Sequence, residues 1–168
     1  VVDAGLLCLG PPQLEETLPR IRKIELMDLN GDDALDLVIW TNGVSLLDDG
    51  HVQVMLGDGE GGFGSAQEIS LEAGAVKGLH VSTFTGTTPD VLVQATYSGT
   101  GYLDLYSGAG DGTFSFKDSV TTDADVRVGV GRLDVGATAD IVFHGTLNGQ
   151  AGEDLLVALG DKTGGGLT

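Results

Sequence analysis

The stretch Asp28-Leu-Asn-Gly-Asp-Asp-Ala-Leu-Asp36-Leu-Val-Ile-Trp40 carries two signals at once. Its first nine residues place side-chain oxygens at positions one, three, five and nine, on Asp28, Asn30, Asp32 and Asp36. Its last residues form a short apolar run that reads as a buried strand. Working outward, an Asp opening an apolar run returns at Asp90-Val-Leu-Val93 and at Asp140-Ile-Val-Phe143, with separations of 54 and 50 residues. A strand ending in glycine also returns: Val52–Gly57, Leu103–Gly108 and Leu155–Gly160, with the glycines 51 and 52 residues apart. A third landmark, a turn followed by an aromatic residue, occurs at Asp58–Phe63 and Asp111–Phe114. Three landmarks in one order and at one spacing define a repeat of about fifty residues.

Within each repeat the pattern predicts four short strands separated by Gly, Asp and Asn turns. In the first they fall near 22–29, 35–41, 51–57 and 66–71, and in the second near 76–84, 90–97, 102–107 and 114–120. The third offers 126–133, 140–145 and 154–160, and 4–9 and 13–18 match the end of an earlier unit. No helical period is sustained; Glu15–Lys23 comes nearest and Pro19 interrupts it. The expected fold is all-β, built of β-propeller blades that are four-stranded antiparallel repeats. A lone four-stranded sheet cannot cover its own faces, whereas stacked sheets cover one another. A sandwich or solenoid is the alternative, but a sandwich has no reason to repeat its turns. The expected division is 1–21 as the last two strands of a preceding blade, 22–74 and 75–124 as blades, and 125–168 as an incomplete blade, all in one continuous domain. This is fewer than the roughly four blades that a closed propeller needs, so a partial propeller or a piece of a longer one is expected.

Composition excludes several function classes. Twenty-five acidic residues against eight Lys and Arg give a formal charge of −17, which repels a phosphate backbone, so no nucleic-acid partner is expected. Anionic membrane surfaces are disfavoured in the same way, and no apolar run approaches the eighteen or so residues of a membrane-spanning helix. The single cysteine, Cys8, rules out an internal disulfide.

The spacing of Asp28, Asn30, Asp32 and Asp36 suits calcium, a hard cation that takes about six to eight oxygen ligands. Alternate positions of a curled loop point inward together, and the backbone carbonyl of Ala34 at position seven is the natural further ligand. An EF-hand is excluded, because Asp33 stands at position six and Ile39 at position twelve. The competing reading is an acidic turn whose side chains satisfy backbone donors.

The stretch Asp28–Ile39 resembles the calcium motif of FG-GAP and VCBS repeats, and Leu56-Gly-Asp-Gly-Glu-Gly-Gly-Phe-Gly64 resembles the second hairpin of the same family. The resemblance covers nearly the whole chain. It implies an integrin-α-like propeller, extracellular or at the cell surface, with a structural ion between a blade's first two strands. It also implies roles in adhesion, in carbohydrate or protein binding, and as an accessory module on enzymes. The motif fails in the other repeats. Ser82–Asp90 keeps only Asp90; Arg132–Asp140 keeps Asp134 and Asp140, with Arg132 in place of the first acid. One calcium site is therefore expected, with Asp28, Asn30, Asp32, Ala34 and Asp36 as its ligands.

Other chemistry finds little support. His51, His80 and His144 are separated from one another and from Cys8, without zinc spacing. Asp48-Asp49 and Asp123-Ala-Asp125 read as solvated acids. No Gly-x-Ser-x-Gly elbow or phosphate loop occurs. Trp40, Tyr97, Tyr102 and Tyr106 read as core residues in preference to a sugar-stacking surface. The leading expectation is a non-catalytic binding or adhesion module for a protein or glycan. Self-assembly into an oligomer or fibre through open strand edges is the alternative, and a catalytic propeller, a hydrolase or lyase, is a third reading.

Overall fold

The computed structural model describes residues 20–42, 50–72, 74–133, 138–145 and 154–158. The strands expected at 4–9 and 13–18, Cys8, Asp48-Asp49, Asp134 and Gly160 lie outside these residues. The described chain is all-β, with several antiparallel sheets and no helix. No helix there is long and apolar enough to cross a membrane.

Three sheets form in chain order. The first contains β1 (Ile21–Met27), β2 (Asp36–Thr41), β3 (His51–Met55) and the two-residue β4 (Gln67–Glu68). The second contains β5 (Ala75–Ser82), β6 (Asp90–Tyr97), β7 (Thr100–Gly108) and β8 (Phe114–Asp123). The third pairs β9 (Arg127–Gly131), β10 (Asp140–Gly145) and β11 (Asp154–Ala158). Each strand pairs antiparallel with its sequence neighbour inside its sheet. The strand expected at 66–71 is short, but Ile69 is buried and its N–H still reaches the Val52 carbonyl at 2.9 Å.

Local sequence explains the tightest hairpin. Between Tyr97 and Thr100 only Ser98 and Gly99 turn the chain, with φ of 51° and 83°. Two consecutive left-handed residues match the twist of the flanking strands, and glycine at the second position removes the steric cost there.

The sheets pack through their side chains in two layers. Between the first and second sheets lie Val38, Val52 and Val54 against Leu79, Val91, Val93 and Tyr106. Between the second and third lie Leu92, Leu103 and Leu105 against Ile141 and Phe143. Along β6, Val91 and Val93 serve one layer and Leu92 the other, as the two-residue period of a strand dictates. Because the second sheet is covered on both faces, β6 is buried from Asp90 through Ala95. At the edge of the first layer the Tyr106 hydroxyl accepts the Glu72 N–H at 2.9 Å, tying the segment after β4 to the second sheet.

Candidate functional site

The loop that joins β1 to β2 bends through Gly31 and Asp33, with φ of 80° and 68°. Its side chains fold onto its own backbone. Asp28 accepts the Gly31 and Asp32 N–H groups on Oδ1, at 2.7 and 3.3 Å, and the Asp33 N–H on Oδ2 at 3.0 Å. Asn30 Oδ1 accepts the Asp32 N–H at 3.1 Å, while its Nδ2 donates to Asp32 Oδ2 at 2.8 Å. Asp32 Oδ1 in turn accepts the Ala34 N–H at 2.8 Å. Desolvation pushes the Asp28 carboxyl upward, but the N–H groups of Gly31, Asp33, Asp32 and Asn30 together outweigh it and hold the group below the usual carboxylate range. Asp28 is therefore ionised throughout the neutral range.

Asp36 has different surroundings. It is fully buried, and its carboxylate joins two separate pieces of backbone: Oδ2 accepts the Leu29 N–H at 2.7 Å and Oδ1 the Gly57 N–H at 2.8 Å. The second sheet repeats this arrangement. Asp90 Oδ2 accepts Phe84 N–H at 3.0 Å and both the N–H and hydroxyl of Thr85, at 2.8 and 3.0 Å, while Oδ1 accepts Gly108 N–H at 3.2 Å. In the third sheet Asp140 Oδ2 accepts the Leu133 N–H at 2.7 Å. The acid at the head of each second strand is thus a backbone anchor, whether or not the loop before it carries the other acids. Sequence reasoning saw the recurrence of Asp36, Asp90 and Asp140 but assigned the first of them only as a metal ligand. The anchoring role was visible in the second loop, which keeps this Asp and loses the rest.

The glycines that recur with these acids have a steric cause. A Cβ on Gly57 would stand 2.4 Å from the Leu35 carbonyl oxygen, and one on Gly108 would stand 2.1 Å from that of Pro89. The turns that follow are each capped from within by a leading Asp. Asp58 Oδ1 accepts the Glu60 and Gly62 N–H groups at 2.8 and 2.9 Å, and those bonds hold its carboxyl below the usual range. Asp111 Oδ1 accepts the hydroxyl and N–H of Thr113 at 2.6 and 2.9 Å, to the same effect.

A calcium ion would draw on Asp28, Asn30 and Asp32, the three oxygen-bearing side chains brought together on one loop, and on the Ala34 carbonyl. Ionised Asp28 and the carboxylate and amide oxygens beside it have the chemistry that a hard divalent cation requires. Each Asp36 oxygen holds one N–H, and a carboxylate offers about four lone-pair positions, so sharing with an ion leaves both anchors in place. Among the described residues no three His, Cys, Asp or Glu side chains converge as a ready cluster. The donor set therefore depends on the Asn30 amide and on the backbone as well as on the acids. In the second loop Thr85 donates its hydroxyl to the Asp90 oxygen and the aromatic Phe84 is buried, so that loop supplies no comparable set.

The remaining candidates separate. His51 Nδ1 lies 2.6 Å from Glu68 Oε1, His144 is exposed, and His80 faces a cleft between sheets. Tyr106 is buried in the first layer with Phe116 at its ring edge, Trp40 packs against the same layer, and Tyr97 is exposed at the Ser98-Gly99 hairpin. These aromatics do not form one platform. No family model matches the chain, no curated protein is similar to it, and no solved structure matches its fold.

Proposed function

We propose that the chain is a non-catalytic binding module made of propeller-type blades, its first blade stiffened by one calcium ion at Asp28, Asn30, Asp32, Ala34 and Asp36. The observation that carries this reading is the repeated anchor: Asp36 to Gly57 in one sheet and Asp90 to Gly108 in the next. Sheets that share one internal tie and stack face to face have the construction of a repeat scaffold. The first loop adds the carboxylates of Asp28 and Asp32 and the amide of Asn30 to that tie, which supports an ion there. Sheets of this kind present loops and first strands to a protein or glycan while their layers stay fixed. The secreted or surface location belongs to the same proposal and follows from the resemblance of Asp28–Ile39 to FG-GAP repeats.

A thermal melt in calcium and in chelator tests the reading. Calcium at a hundred times its dissociation constant adds about 2.7 kcal/mol, enough to raise the midpoint by several degrees. The Asp28→Ala, Asp32→Ala double variant should lose that response. Identical melts of the native chain in calcium and chelator would reject the ion.

A further inference from the structure

The described residues contain seven Lys and Arg side chains: Arg20, Arg22, Lys23, Lys77, Lys117, Arg127 and Arg132. All but Lys117 lie on, or immediately beside, the first strand of a sheet: β1, β5 or β9. In a chain of formal charge −17 this placement concentrates positive charge on one set of strands. The strands meet at a cleft of about 570 Å³, lined by Glu25 from β1, His80, Ser82 and Thr83 from β5 and its following loop, and Arg132 just after β9. A second cleft of about 350 Å³ also borders His80 and carries Lys77, Gln94 and Arg127, with one acid, Asp125, at its edge. Lys23 fixes one wall: its Nζ donates to the Leu79 carbonyl at 2.6 Å and pairs with Glu25 at 2.8 Å. Arg127 and Arg132 are exposed and form no ion pair among the described residues. They lie five residues apart, roughly 17 Å along an extended strand.

We infer that these two clefts, which adjoin at His80, bind an acidic oligosaccharide, with Arg132 in one and Arg127 in the other receiving its carboxylates and Glu25, Ser82 and Thr83 its hydroxyls. An exposed guanidinium with no ion pair among the described residues is a fork that matches a carboxylate in a bidentate pair. Glu25 sits in the same cleft, and the carboxylate oxygen that Lys23 leaves over can only accept, which favours a ligand that also donates. That requirement fits sugar hydroxyls and disfavours a bare polyanion. Cationic positions in two clefts that adjoin at His80 suit an extended ligand of repeating acids and hydroxyls. The volumes of the clefts are those of sites that enclose small ligands. The inference names the ligand class of the binding module and rests on that reading, but it does not require the calcium loop.

A titration with a short oligoglucuronate, observed through amide and His80 ring resonances, tests it. The neutral oligoglucose of the same linkage and a triglutamate peptide serve as the other arms. Oligoglucuronate should shift His80 and residues of β9, bind more weakly as salt rises, and lose roughly tenfold in affinity in Arg132→Gln. Lys117→Gln, on β8, should bind as the native chain does. Equal binding of oligoglucose, tighter binding of triglutamate, or silence from oligoglucuronate on a folded chain would each overturn the inference. A molecular mass that rises with concentration and falls back in Arg132→Gln would also overturn it, by assigning the clefts to a second copy. Silence from oligoglucuronate beside a calcium-dependent melt would leave the binding-module reading intact; a melt without calcium dependence beside tight binding would do the reverse.

Discussion

The Asp36 carboxylate accepts the Gly57 N–H at 2.8 Å, across the sheet from the loop whose Leu29 N–H it also holds. One buried side chain thereby fixes both the exit of β1 and the end of the third-strand segment. Its removal leaves a buried donor at Leu29 and a half-buried one at Gly57 unpaired. Asp36→Ala should destabilise the chain by about 2–4 kcal/mol, with or without calcium. Chemical denaturation in chelator measures this, and a variant that melts with the native chain would show the anchor to be unimportant.

The glycine that partners Asp90 in the second sheet, Gly108, is constrained by space. Gly108→Ala would drive a Cβ into the Pro89 carbonyl oxygen and should cost about 1–3 kcal/mol. At Gly86 the added Cβ would meet no atom within 4 Å, so Gly86→Ala should be neutral or stabilise by about 0.5 kcal/mol. The two midpoints, compared in one denaturant series, give the contrast.

The Tyr106 hydroxyl receives the Glu72 N–H across the first layer, and its ring is fully buried. Tyr106→Phe keeps the ring and removes the acceptor. A loss of about 1 kcal/mol is expected, with faster hydrogen exchange at the Glu72 amide. Unchanged exchange at that amide would remove the hydroxyl from the account.

His80 links stability to pH. Burial lowers its pKa from 6.5, Lys23 lowers it further, and Glu25 opposes them. Lys77 on its own strand and the exposed Arg127 and Arg132 beside β9 add positive charge to the same clefts, and Asp125 adds one negative charge. The unfolded chain therefore binds this proton more readily than the folded one. The stability that neutral His80 contributes is present above its unfolded value of about 6.5 and is lost as pH falls through its lower folded value. Melting midpoints should fall over that window in the native chain, and the slope should flatten in His80→Gln. Equal slopes would assign the dependence to other groups.

Strand positions were legible because alternation and Gly or Asp turns mark them in a chain of short antiparallel sheets. Ser98-Gly99 and the apolar runs after Asp36, Asp90 and Asp140 are local signals, and the strands follow them. The roles of Asp36 and Gly57 were not legible in the same way. Their bond and their close approach join residues 21 positions apart, and only the sheet brings them together. The first-strand cations escaped notice for a related reason. Lys77, Arg127 and Arg132 look scattered in sequence and reach adjoining clefts only when β5 and β9 converge. His80, set aside in the sequence for lack of zinc spacing, occupies the meeting point of the two clefts.

Calorimetric titration of calcium into the chain, with the Asp28→Ala, Asp32→Ala double variant beside it, tests the central claim most directly. The account predicts saturable binding at one site per chain in the native protein and none in the variant. Absence of binding to the folded native chain, or equal binding to both, would contradict it and leave Asp28–Asp36 as an acidic turn closed by its own backbone.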